Sequence, residues 1–459
     1  MTRSFRDPAG QLEDDGQRIR RLVQPGGRTA TEALLASDLY AGLVRDGLLI
    51  EARNVRALTD GGLEIDHPRV DIPSYPFEWT PSMLADAGLL TLEIQTRAWA
   101  AGWTLKDAAA NNVLFINSRP VFCDLLSLRK REKLDPPGWH AYGQFVRHFL
   151  LPLLVIGEHG RSPRDIFLAH RDGLRAAEVA PFIPWHAHLG LAMWLHVRLP
   201  ARLERRRIAH HAQGRRGGAA PSPSTASDGT PWLLGNLRSF VQRLVRPRTG
   251  MSTWSSYTVN RDHYGDAELA AKRAAVQTLV QSLRPRRVLD IGANSGEFSL
   301  LAAKEGAQVV ALDDDINALD ALHRRLRGEP GSIQCLHANI ARPTPATGWQ
   351  LAETQSLPNR LKGRFDVVLM LAVVHHLAVT ERLPLPQLFR CLADYCTGVL
   401  LLEFVPRDDP RFIEIAGANA ELYQEWSLPA LLEAAAPWFS LTGQTPISTH
   451  RTLLQLQRS

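Results

Sequence analysis

Short apolar runs at 288–291, 307–312, 333–339, 365–374 and 399–404 punctuate the second half of the chain. Runs of four to eight residues bounded by polar or turn residues are the pattern of strands covered on both faces. Between the first two runs, 297–304 reads as a helix, stopped by Gly306 at its C-terminal cap. A helix is expected over 267–283, helices between 412 and 439, and a last strand over 449–457. The first half has a weaker rhythm. Residues 82–102 carry Met83, Leu84, Ala87, Leu90, Leu92, Ile94 and Trp99 at helical spacing, with Ser82 as N-cap and Gly102 as stop. Residues 72–81 are broken by prolines and rich in aromatics, so an ordered loop is expected there. Residues 1–70 read as a polar leader with mixed helical or strand segments, and 139–203 as helices rich in Trp, His and Leu. Residues 208–232 turn abruptly to Gly, Ala, Pro, Ser and Thr, the composition of a flexible linker. A short basic amphipathic helix is expected over 232–246.

The first apolar run ends Asp290-Ile291-Gly292-Ala293-Asn294-Ser295-Gly296 before the helix at 297 begins. Strand, glycine turn and helix open a doubly wound α/β sheet, where ligands settle at the carboxyl ends of strands. Glycine at 292 and 296 lets the backbone turn tightly and approach a ligand. The second run ends in Asp313-Asp314-Asp315, and a carboxylate there can accept two hydrogen bonds from a ribose diol. A dinucleotide fingerprint needs glycines where Asn294 and Glu297 stand, which disfavours NAD.

Asp-x-Gly-x-x-x-Gly followed by an acid about twenty residues on instead resembles the class I S-adenosylmethionine-dependent methyltransferases. The third run then resembles the strand whose end lies near the adenine, with Asn339 where an acid is commoner. The fourth, ending Leu371-Ala372-Val373-Val374-His375-His376, resembles the strand and loop that face the methyl donor, and 399–404 the fifth strand. The resemblance spans roughly residues 250–459 and implies a Rossmann-like methyltransferase sheet binding S-adenosylmethionine. By position it assigns the cofactor to Asp290, Gly292, Ala293, Asn294, Gly296, Asp313, Asp314, Asn339 and Ala372. Methyl transfer is an in-line displacement, needing alignment and, for a protonated acceptor, a base. His375 and His376 are the candidates, since imidazole titrates near operating pH. The alternative is that one of them stacks on adenine or caps a helix. Tyr257 and Tyr264 are candidate lid residues. No Asn/Asp-Pro-Pro-Tyr loop is present, which points away from exocyclic-nitrogen acceptors and toward oxygen or carbon on a small molecule or glycan. The two-part layout also resembles nodulation-related methyltransferases of bacteria.

In the first half, Asp107, Asn112 and Asp124 flank short apolar strands. They resemble the catalytic and magnesium-binding loops of protein-kinase-like and aminoglycoside-phosphotransferase-like folds. Against activity, no lysine precedes Lys106, no glycine-rich loop is present, and Leu105 stands where that family has histidine. A β-hairpin with Asx turns at Asp107 and Asn111 is the alternative.

With 45% apolar and 22% charged residues the 459-residue chain is globular, and its length suits two or three domains. We expect a largely helical α+β domain over 1–207, a basic linker over 208–249 and the methyltransferase domain over 250–459. Ten arginines between 201 and 250 face only Glu204 and Asp228, a surplus larger than the whole chain's net +6. The basicity is therefore local. No aromatic-rich basic patch for stacking bases accompanies it, which argues against nucleic acid as partner. Cys123, Cys335, Cys391 and Cys396 fit neither a zinc spacing nor a disulfide framework. Trp185, His186, His188, Trp194 and His196 read as packing groups, because an i, i+2 histidine pair does not share a helix face. No signal peptide stands out in 1–30, and 149–156 is too short to span a bilayer, so a cytoplasmic protein is expected. Two other readings remain open: a non-catalytic protein on an S-adenosylmethionine-binding scaffold, and a bifunctional kinase-like methyltransferase.

Overall fold

The computed structural model describes residues 2–132, 135, 137–183, 190–212, 229–244, 266–328, 331–448 and 450–459. It divides into two compact units, Met1–Arg248 and Thr249–Ser459.

The first unit opens with a five-stranded antiparallel sheet: β1 (Thr2–Asp7), β2 (Gly10–Asp14), β3 (Ile19–Val23), β4 (Arg53–Ala57) and β5 (Leu63–His67), in the order β1-β2-β3-β5-β4. These strands are short and charged, and β4 is exposed along its whole length. Ion pairs join them: Arg56 of β4 to Glu64 of β5 at 3.2 Å, and Arg18, just before β3, to Asp66 of β5 at 2.7 Å. Two helices, Pro25–Leu35 and Asp38–Arg45, connect β3 to β4. The long helix Pro81–Ala100 is the unit's buried axis, and two residues beyond its end Gly102 takes a φ of +78°. Its N-cap is Thr80, whose hydroxyl accepts from the Met83 N–H, and not Ser82, because Pro81 takes the first helical position. Two small pairs follow, β6 (Trp103–Leu105) with β9 (Leu128–Lys130), and the hairpin of β7 (Val113–Ile116) and β8 (Arg119–Phe122).

Helices complete this unit, among them Ala176–Val179, Leu191–Met193, Leu199–Ala212 and Thr230–Leu244. The last buries Leu234, Leu237, Phe240 and Val241, and its Arg238 bonds Glu93 at 2.5 Å on the axial helix. Residues 230–244 of the segment read as linker are thus a packed helix of the first unit, because their apolar stripe has a groove to fill. Residues 213–228 of that segment lie outside the described residues.

The second unit carries a seven-stranded sheet: β10 (Arg287–Ile291), β11 (Gln308–Asp313), β12 (Ile333–His337), β13 (Phe365–Met370), β14 (Cys396–Phe404), β15 (Phe439–Pro446) and β16 (Thr452–Arg458). Their order is β12-β11-β10-β13-β14-β16-β15. The first five pair in parallel and the last two antiparallel. From β10 the chain steps outward to β11 and β12, then returns to the other side of β10 as β13. That reversal opens a crevice at the carboxyl ends of β10 and β13. Helices Asp266–Leu283, Glu297–Lys304, Ile316–Leu326 and Leu385–Tyr395 accompany the sheet, which is why its strands are almost continuously apolar.

Candidate functional site

The crevice is a cavity of about 560 Å³ lined by the ends of β10, β11, β12 and β13 and by residues from 269–273, 411 and 451. At its floor Asp290 is buried and accepts from the Ser299 hydroxyl at 2.6 Å, tying strand to following helix. The turn then passes through Gly292 at φ +77° and Gly296 at φ +81°. A Cβ on Gly292 would stand 2.4 Å from a methyl of Val373, and one on Gly296 2.4 Å from a methyl of Leu322. Both positions therefore exclude a side chain twice over, by conformation and by space. Between them the Gly292 and Ala293 N–H groups donate to the Leu312 carbonyl at 2.9 and 3.1 Å. Asn294, itself at φ +49°, donates its N–H to Asp313 at 2.6 Å.

Each acid of the Asp313-Asp314-Asp315 run has a different task. Asp313 accepts backbone N–H groups from Asn294 and Asp315 (2.7 Å), leaving lone pairs on both oxygens. Asp315 caps the helix Ile316–Leu326. Asp314 is more exposed and accepts from the Asn339 amide at 3.0 Å. Burial pushes the carboxyls of Asp290 and Asp313 up to about 6, against their hydrogen bonds, which pull the other way.

Asn339 lines the cavity, as does Ala372, held at φ +59°. The Asn339 side-chain N–H₂ is engaged by Asp314 and by Glu381 at 3.0 Å, and its oxygen by the Ala341 N–H. Arg342 closes this network on Glu381 at 2.8 Å.

His375 and His376 follow at the start of the helix Val374–Val379, ring centroids 4.3 Å apart. His375 is 2% exposed, and among the described residues its Nδ1 has no hydrogen-bond partner. Burial lowers both imidazoles, His375 well below the ordinary range and His376 to about 4. Arg451 adds to this at both rings, with Lys272 at His375 and Arg411 at His376, so both are neutral at pH 7.

The wall beyond the histidines is ionic. Buried Lys272 meets fully buried Glu403 at 2.6 Å, and Arg451 meets Asp409 at 2.7 Å and Glu403 at 3.4 Å. Sequence reasoning missed Lys272, Arg451 and Glu381, whose partners are remote in the chain and leave no local spacing to read.

In the first unit the structure also brings Asp107, Asn112 and Asp124 together. Asp124 faces both Asp107 and the Arg21 guanidinium, with the Arg21 Nη1 at 2.8 Å. Asn112 donates to Ser127 at 3.3 Å, and Ser127 in turn to Asp124. Asp107 accepts the Ala109 N–H at 2.9 Å in an Asx bond, and burial raises its carboxyl. Arg21 was not foreseen; its guanidinium answers the Asp124 carboxylate. Among the described residues no group of three or more His, Cys, Asp or Glu side chains could hold a metal ion. His196 is buried between the Tyr142 hydroxyl (2.8 Å) and Asn236 (2.9 Å), whereas Trp194 is exposed. Trp185, His186, His188, Tyr257 and Tyr264 lie outside the described residues.

Residues 261–443 match the family described as a methyltransferase domain. The chain is 27% identical over 467 residues to the nodulation protein NoeA of Rhizobium meliloti (strain 1021), covering 99% of this chain and 95% of that one. The magnesium protoporphyrin IX methyltransferase of Synechocystis PCC 6803 is similar over 45% of this chain and 94% of its own, at 18% identity and a TM-score of 0.32. The bifunctional kinase-methyltransferase WbdD is similar over 47% of this chain and 44% of its own, at 20% identity and a TM-score of 0.32.

Proposed function

We propose that the chain transfers a methyl group from S-adenosylmethionine to oxygen or carbon of a small-molecule or glycan acceptor, a reading supported by the match of residues 261–443 to the methyltransferase-domain family. What carries this reading is the convergence of the Gly292–Gly296 turn and the lone pairs of Asp313 on one cavity of about 560 Å³. That volume lies within the range of ligand pockets. S-adenosylmethionine supplies an electrophilic methyl on a sulfonium. In this proposal Asp313 takes the ribose hydroxyls, and Asp290 holds the turn 292–296 in place through Ser299. Gly292, Ala293, Asn294 and Gly296 form the cradle, Asp314 stands beside Asp313 at the ribose, Asn339 borders the adenine and Ala372 faces the methyl donor.

His376, the more accessible of the two histidines, is proposed to take the acceptor's proton, with His375 packed behind it. A neutral imidazole is available as acceptor across the neutral range. The same burial weakens it as a base, so proton transfer is expected late, when the acceptor oxygen is already losing electron density to the new bond.

Titration calorimetry of the full chain with S-adenosylmethionine tests the cofactor site; absence of heat would retire the proposal. Once an acceptor is found, His376→Gln is expected to leave cofactor affinity within about twofold and to lower turnover about a hundredfold. Equal turnover in that variant would remove His376 from the mechanism.

A further inference from the structure

The first unit exposes large apolar side chains on a set of helices that touch one another. Phe182 (71% exposed) follows the helix Ala176–Val179, Leu191 (66%) opens Leu191–Met193 and Trp194 follows it, Leu203 lies on Leu199–Ala212, and Trp232 (58%) on Thr230–Leu244. The Ala177 N–H donates to Glu204 at 3.0 Å, which sets Leu203 beside the start of the helix that leads to Phe182. The His196–Asn236 bond joins the other two segments, and Trp194 and Trp232 each stand within about one helical turn of it. Interspersed with these side chains are the exposed arginines 198, 202, 205 and 206. Within 198–206 the one acid, Glu204, is occupied by Ala177, and on the helix Ala176–Val179 exposed Glu178 accepts from the Arg175 N–H.

Exposed tryptophans set among arginines are the chemistry of a headgroup interface. The rings settle at the acyl boundary while guanidinium groups meet lipid phosphates. We propose that this helical face of the first unit binds the surface of an anionic lipid bilayer. Among the described residues no helix is long and apolar enough to cross a membrane, so the attachment is peripheral. A second copy of the chain fits this face poorly, because a two-fold contact would set the same arginines against each other. The inference does not depend on the methyl-transfer reading.

The test is flotation of the full chain with vesicles of phosphatidylcholine alone and of phosphatidylcholine mixed equally with phosphatidylglycerol. Binding is expected to the mixed vesicles, at least about tenfold weaker to the neutral ones, and to fall as salt is raised. Trp194→Ser with Trp232→Ser, and separately Arg202→Glu with Arg206→Glu, are each expected to lower binding about tenfold or more. All four are surface positions, and an unchanged thermal unfolding curve confirms that the fold survives. Failure to float with anionic vesicles overturns the proposal. So does binding that ignores the headgroup charge or both variant pairs, or self-association abolished by the tryptophan pair without vesicle binding.

Discussion

Two sets of carboxylates, one in each unit, stand near the ends of strands and differ in what answers their charge. In the first unit Asp124 meets a buried guanidinium and a hydroxyl, and Asp107 a backbone N–H. In the second, Asp290 and Asp313 are buried among hydroxyl and amide donors, with their carboxyls pushed up to about 6, and Asp313 borders an open cavity. One arrangement is satisfied by the protein itself; the other keeps bonding capacity and space in reserve. The residue types alone, acid and asparagine near strand ends, are common to both. What separates a site from a brace is the partner.

The difference can be broken most severely at the turn. Gly292→Val meets Val373 and demands a φ that valine avoids, so S-adenosylmethionine binding is expected to vanish from the calorimeter. Acid separates the units next. In the first, burial lowers His67 and His148 to about 4, so the unfolded chain binds more protons as pH falls from 6.5 toward 4. Each histidine then removes about 2 kcal/mol of stability by pH 5. In the second unit His375 and His376 act in the same direction, but Asp290 and Asp313 oppose them. Raised to about 6, those two bind protons in the folded state first and gain stability as pH falls from 6 toward 3.8. Hydrogen exchange at pH 7 and pH 5 is expected to show β3 and β5 loosening before β10 and β13; the reverse order would contradict this balance.

Asp313→Asn is a gentler probe. It replaces the carboxylate proposed to meet the ribose, and about 2 kcal/mol, some thirtyfold in cofactor affinity, is expected to go with it. Unchanged affinity would move the ribose elsewhere. Smallest is Arg21→Ala, which leaves Asp124 without its cation. A loss of about 1–2 kcal/mol in urea unfolding is expected, with no change in S-adenosylmethionine affinity. A variant that instead gained affinity for Mg-ATP would show that Arg21 blocks a site and does not merely brace it.

The second unit was legible in the sequence because parallel strands covered on both faces must be apolar throughout, and because each ends on a residue that the turn geometry demands. Gly292, Gly296 and Asp313 announce themselves by identity and spacing. The sheet of the first unit had no such voice. Its strands are charged, and what specifies them is pairing such as Arg18 with Asp66, invisible until the strands lie side by side. The same holds for Lys272 and Arg451, which line the cavity and meet on buried Glu403 from distant parts of the chain. Asn339 was legible as a cavity residue, but its engagement by Asp314 and Glu381 was not. The helix 230–244 was legible as a helix, and its burial was not, because the groove it fills belongs to residues far away.

Arg451 sits just before β16, the antiparallel strand laid against β14 after all five parallel strands have been made. On a ribosome, β10 to β14 emerge and can pair while one side of the cavity is still missing. A nascent chain thus passes through a stage with a formed sheet in which Glu403 is met by Lys272 alone and Asp409 still awaits its guanidinium. Chaperone contact during synthesis is expected to concentrate in that interval and to end when residue 451 clears the exit tunnel.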